Sequence, residues 1–139
     1  MKLPIVFLSA VMAAGAADPT GLVYWPKGVP PSGGPKGAKF DNHGLGISHR
    51  DKDGVAELHE NQSDIMVIQS GEAKLVVGGE VTGAKTESPG EIRGAGITNG
   101  VEKMLSAGDV IHIPFGMPHQ FFVAPGKQIT YFVVKVTKP

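Results

Sequence analysis

At 139 residues the chain has room for one domain with a real core and little space for a second module. Its 13 basic and 13 acidic side chains balance, and no charge run argues for nucleic acid or for a basic partner. Cysteine is absent, which excludes disulfides and leaves only nitrogen and oxygen to hold any metal.

The 20 glycines and 11 prolines fall between short apolar runs, a pattern of turns and short strands that predicts an all-β domain. Residues 1–17 read as a signal peptide. Met1-Lys2-Leu3 gives a positive start, residues 5–13 are apolar, and Ala14-Gly15-Ala16 offers small residues for cleavage. The apolar run is shorter than the ~20 residues that span a bilayer. The expected mature chain starts near Asp18, is secreted or periplasmic, and keeps no membrane attachment after cleavage.

Residues 18–43 are expected to form an N-terminal arm and residues 44–137 a β-barrel. Within the arm, residues 21–25 read as a first strand. Residues 26–37, crowded with proline and glycine, read as a loop laid across the domain or a partner subunit. Residues 44–50 then form a strand with Leu45, Ile47 and His49 on one face, and residues 51–54 a turn. In the strand at 55–59, alternation puts Val55, Glu57 and His59 on one side. A hairpin about the 51–54 turn would pair His49 with Val55 on the site-facing side.

After a polar loop holding Asn61 and Gln62, residues 64–69 form a strand with Asp64, Met66 and Ile68 on one side. Residues 70–72 read as a turn and 73–77 as the returning strand. Residues 80–100 read as a long hairpin or loop at the barrel mouth. Further strands are expected at 103–106, 108–113, 119–123 and 128–136, the last apolar on both faces.

Residues 108–119 carry the most specific signal: glycine, five residues, Pro-x-Gly, two residues and a histidine, matched by Gly108, Pro114, Gly116 and His119. This resembles the second motif of the cupin family. That family's first motif is degraded here. His59 takes the place of the second histidine, Glu57 stands where the first belongs, Asp64 replaces the usual glutamate, and Gly71 keeps the final spacing. The resemblance covers residues 44–136 and implies a single-domain cupin jelly-roll barrel with one metal ion per chain and, since small cupins usually pair, a homodimer.

The residues themselves agree. Glu57 and His59 project from one face of one strand, about 7 Å apart along it. Asp64 follows across a short loop, and a rigid Pro/Gly turn can bring His119 over the same face. Two imidazoles with one or two carboxylates form a mixed site suited to Fe, Mn, Cu, Ni or Zn. His59, His119, Asp64 and Glu57 are the expected ligands, with Glu57 and Asp64 also the candidates for catalysis. Should the shorter Asp64 not reach the ion, Glu57 or water completes the set. His49, Asn61, Gln62 and Tyr131 are expected at the rim or against substrate.

Copper is the preferred ion, because it heads the divalent affinity order at a site of imidazole without thiolate; iron and manganese are alternatives. Export, ligand type and the resemblance together suggest a redox enzyme acting oxidatively on a carbohydrate such as cellulose. Only Tyr24, Trp25 and Phe40 could form an aromatic platform for a polysaccharide. The competing expectations are a non-redox isomerase or lyase on a sugar or small acid, and a small-molecule-binding protein without turnover.

Overall fold

The computed structural model describes residues 17–139. The leader expected over residues 1–17 lies, except for its last residue, outside them. Two antiparallel walls face each other across the core, and one strand belongs to both: β4 (Gln62–Val77). Its first half pairs with β12 (Ile129–Thr137) and β10 (Val110–Ile113). Beyond β12 that wall continues through β2 (His43–Arg50) to the edge strand β1 (Gly37–Lys39). Its second half pairs with β9 (Val101–Ser106) and β11 (His119–Phe122). From β11 the opposite wall runs through β3 (Ala56–His59) and β7 (Glu91–Gly94) to β6 (Lys85–Ser88). A small separate ladder joins β5 (Glu80–Thr82) and β8 (Gly96–Thr98).

Residues 70–72, expected to turn the chain, instead carry β4 around the corner between the walls. Opposite β12, Ile68 faces Tyr131 and Ser70 faces Thr130, so Gln69 is an extra residue that bends the strand. Gly71 has φ +80° and its backbone lies against Gln128, where a Cβ would collide with the carbonyl oxygen. The ladder survives the bend, with Glu72 N–H donating to Gln128 O at 2.8 Å.

Three other expectations change. Residues 21–25 form no strand; a single 3-10 turn follows at Pro26–Gly28, and Trp25 meets Phe132 edge-on at 6.2 Å, covering the outer face of β12. The hairpin joining 44–50 to 55–59 does not exist. β2 pairs with β1 and β12, while residues 51–54 cross between walls, Gly54 N–H donating to Phe121 O. Residues 80–100 hold four short strands where a loop was among the expectations.

Alternation along each wall fills the core. Met66 and Ile68 of β4, Phe121 of β11, and Ile129, Tyr131 and Val133 of β12 are buried together, and Phe121 stacks on Tyr131 at 5.1 Å. Each such apolar side chain contributes about 1.5–3 kcal/mol by leaving water. That packing sets the distance between the walls, and the polar groups at one end of the core face each other across it.

Candidate metal centre

Glu57 and His119 are direct neighbours in the β3–β11 register, and His59 follows Glu57 by one alternation. Their side chains meet inside the barrel. Glu57, His59 and His119 each present one ligand atom, all within 4.8 Å of one another. The two imidazole rings lie 5.1 Å apart. Both histidines and Asp64 are buried, while Glu57 is half-buried toward the mouth.

The back of each imidazole is fixed by the protein. His59 Nδ1 lies 2.6 Å from Glu91 Oε2, and His119 Nδ1 lies 3.2 Å from the Met117 carbonyl oxygen. A carbonyl only accepts, so the Met117 contact favours a proton on His119 Nδ1, and the Glu91 carboxylate favours the same for His59. Both Nε2 lone pairs then point inward, an outer-sphere arrangement found behind metal-bound histidines. His119 Nε2 is buried with no hydrogen-bond partner among the described residues, while Glu57 Oε2 faces it at 3.5 Å. Two lone pairs so placed repel unless a cation or a proton lies between them. Such a donor set fits a divalent metal ion.

Asp64 approaches from the other wall. Its Oδ2 is 3.5 Å from His59 Nε2 and 3.8 Å from His119 Nε2, but Oδ1 accepts from Lys135 Nζ at 2.8 Å. Lys135 Nζ also lies 3.2 Å from His59 Nε2. Behind Glu57, Arg93 Nε is 3.5 Å from Oε1 and Arg50 Nη2 is 3.7 Å from Oε2; Arg93 Nη1 also donates to Glu91 at 3.1 Å.

These neighbours set the protonation of the centre. Burial pushes the Glu57 carboxyl up, yet a proton between it and His119 Nε2 in the metal-free centre, helped by Arg93 and Arg50, outweighs burial and brings the pKa down to about 2. Burial also opposes charge on Asp64, but His59 and Lys135 hold its carboxyl below the usual range. For His59, burial and Lys135 work against the proton, while Asp64 and Glu91 prevail and raise its pKa.

The centre therefore unites Glu57, His59, His119 and Asp64, with Tyr131 at its side. Tyr131 lines the same cavity, its hydroxyl accepting from Arg50 Nε at 3.2 Å. The other rim candidates are elsewhere. His49 lies on the outer face of β2, hydrogen-bonded to Thr130 Oγ1 at 2.8 Å, because Ser48 and Arg50 take the inward positions. Asn61 is exposed in the β3–β4 turn, its carbonyl accepting from Lys138 N–H. Gln62 lines a neighbouring groove beside Phe40 and His43. Sequence reasoning missed Arg50, Glu91, Arg93 and Lys135. A signal for Lys135 existed: it continues the inward series Ile129, Tyr131, Val133 as a charged residue at a core position.

No family model matches the sequence, and no curated protein matches it. Solved structures share the fold. A cupin protein from Bacteroides fragilis superposes with a TM-score of 0.50 at 17% identity, covering 70% of this chain and 68% of that one. A double-stranded β-helix protein from Klebsiella pneumoniae gives 0.53 at 17% identity, covering 72% and 71%. A DMSP lyase from Ruegeria pomeroyi gives 0.50 at 16% identity, covering 70% of this chain but 39% of the lyase. The architecture is the cupin double-stranded β-helix.

Proposed function

We propose that this chain of cupin fold is an exported metalloenzyme that binds one divalent ion through Glu57, His59 and His119 and acts oxidatively on a small acidic compound. The observation that carries the reading is the buried, unpartnered Nε2 of His119, aimed at the same point as His59 Nε2 and Glu57 Oε2. Two histidines and one carboxylate with open positions suit a redox-active metal, iron above all, with copper favoured by affinity where it is available. When bound, the ion would supply one-electron chemistry with oxygen or peroxide at that point.

The chain's own residues favour a small anion as substrate. The cavity measures about 350 Å³, within the range of small-molecule sites. Its lining holds four carboxylates (Glu57, Asp64, Glu87, Glu91) against three cations (Arg50, Arg93, Lys135). A divalent ion turns that slight negative excess into a positive one, which a carboxylate substrate balances. Arg50, beside Tyr131, is placed to bind it, while Glu57 can hold or move a proton. A polysaccharide fits less well: of the three aromatic candidates, Trp25 is engaged with Phe132 and Phe40 stacks on His43 at 4.7 Å.

Elemental analysis of the purified protein, followed by oxygen-uptake assays with small carboxylic acids and with oligosaccharides, tests the proposal. One iron or copper per chain is expected, lost in H119A, with oxygen uptake restricted to the acids. Absence of bound metal overturns the metalloenzyme reading. Turnover with zinc and without oxygen replaces the redox reading by an isomerase or lyase.

A further inference from the structure

Lys135 is the last inward-facing residue of β12, and its ammonium ends inside the candidate metal centre. An ammonium has three donors and no acceptor, so Nζ donates to Asp64 Oδ1 at 2.8 Å and, with His59 neutral and its proton on Nδ1, to His59 Nε2 at 3.2 Å. The His59 lone pair it engages is the one a metal ion needs, since His59 Nδ1 is already committed to Glu91. Asp64 is likewise turned toward Lys135. A covalently attached cation thus engages one of the three ligand atoms an exogenous cation would need.

Lys135 also has somewhere to go. Its side chain is 37% exposed, and it borders both the central cavity and the adjoining groove beside Phe40 and His43. We propose that Lys135 is a displaceable internal cation that sets the metal affinity of this centre. It masks His59 Nε2 and holds Asp64 outside the ligand set. Binding of the ion by Glu57, His59 and His119 requires the ammonium to leave His59, and Asp64 becomes a fourth ligand once Lys135 releases it. The inference rests on the metal-binding reading above and adds a residue that opposes it.

Competition titrations with Zn(II) and Cu(II), using wild type, K135M, K135Q and K135M/D64N, separate the two. K135Q keeps a hydrogen-bonding partner for Asp64 and carries the test should K135M fold poorly. Replacing a charge-assisted hydrogen bond by an open lone pair should tighten binding about tenfold or more in both single variants. Part of that gain should vanish in K135M/D64N, and the Cu(II) EPR spectrum of K135M should change with the number of coupled nitrogens unaltered. Metal binding by wild type with equal or weaker binding by K135M and K135Q overturns the inference and leaves the metal reading intact. Binding by K135M alone supports the inference and overturns a resident metal in wild type. Binding by no variant overturns both.

Discussion

The two walls treat charge in opposite ways. On the β3–β11 side, Glu57, His59 and His119 are held from behind, by Arg93, Glu91 and the Met117 carbonyl, so that their free atoms converge inward. On the β4–β12 side, Asp64 and Lys135 neutralise each other across adjacent strands, Lys135 standing opposite Asp64 in the ladder. One wall turns its lone pairs and a carboxylate toward a common point that suits a cation; the other carries a cation of its own. A site assembled from both has ligands already oriented, and an internal competitor that ties half its carboxylate charge to lysine.

The most direct way to break this contrast is to disturb the corner that brings the walls face to face. Gly71→Ala would place a Cβ against the Gln128 carbonyl at a backbone angle L-residues resist. We expect a loss of about 4 kcal/mol or more in urea unfolding, with metal binding lost as well. A loss below about 1 kcal/mol would mean that the corner relaxes without moving the walls.

Acid separates the walls next. The Glu57 carboxyl, ordinarily near 4.5, is held at about 2 in the folded protein. A lowered folded pKa contributes stability above the unfolded value, and that contribution is lost as pH falls from about 4.5 toward 2. At about 1.4 kcal/mol per tenfold change in proton affinity, Glu57 accounts for up to about 3 kcal/mol. Chemical denaturation of metal-free protein between pH 5 and pH 2 should show this slope, flattened in E57Q. Asp64, also lowered, contributes in the same direction and leaves a residual slope in that variant. Superimposable profiles would remove the Arg93–Arg50–His119 account of the Glu57 environment.

How much of this was legible in the sequence follows from what period-two alternation encodes. It placed Glu57 with His59 and Asp64 with Met66 and Ile68 correctly, because alternation is a property of each strand alone. The Pro/Gly spacing before His119 likewise fixed where that strand begins. Which strands are neighbours is a different kind of information. Consecutive strands β2 and β3 invite a hairpin, yet they lie in different walls, so His49 was placed inward when it faces out. The same failure hid Arg50, its inward-facing neighbour. Gly71 read as a turn because positive φ serves tight turns and bent strands alike. Glu91 and Arg93 sat in a stretch too polar to declare its strands, although those strands fix His59 and Glu57 from outside the barrel core.

A smaller effect sharpens the account of the ligand-bearing wall. Glu91→Gln keeps a hydrogen-bond acceptor for His59 Nδ1 but removes the charge that holds the ring and that Arg93 links to Glu57. Metal affinity should fall about 10- to 100-fold, as when outer partners of metal-bound histidines are changed. Isothermal titration of E91Q with Zn(II) measures it, and an unchanged affinity would reduce Glu91 to a surface acid.

The smallest expected effect belongs to His49, and it tests which side of a wall matters. Its ring lies outside the barrel, and Nδ1 meets Thr130 Oγ1, whose hydroxyl donates onward to Gln128 Oε1 at 3.0 Å. Removing it leaves Thr130 with that second partner and with solvent, so no buried polar group is orphaned. His49→Ala should shift unfolding by no more than about 1 kcal/mol and metal affinity by less than about twofold, whereas H59A abolishes binding. The two are the same residue type near the end of their strands; they differ in which face of the sheet they occupy. A tenfold loss in H49A would mean that β2 is paired differently in solution, with His49 inside and Arg50 out. Measured beside H59A, the substitution therefore reports on the register of the wall opposite the ligands.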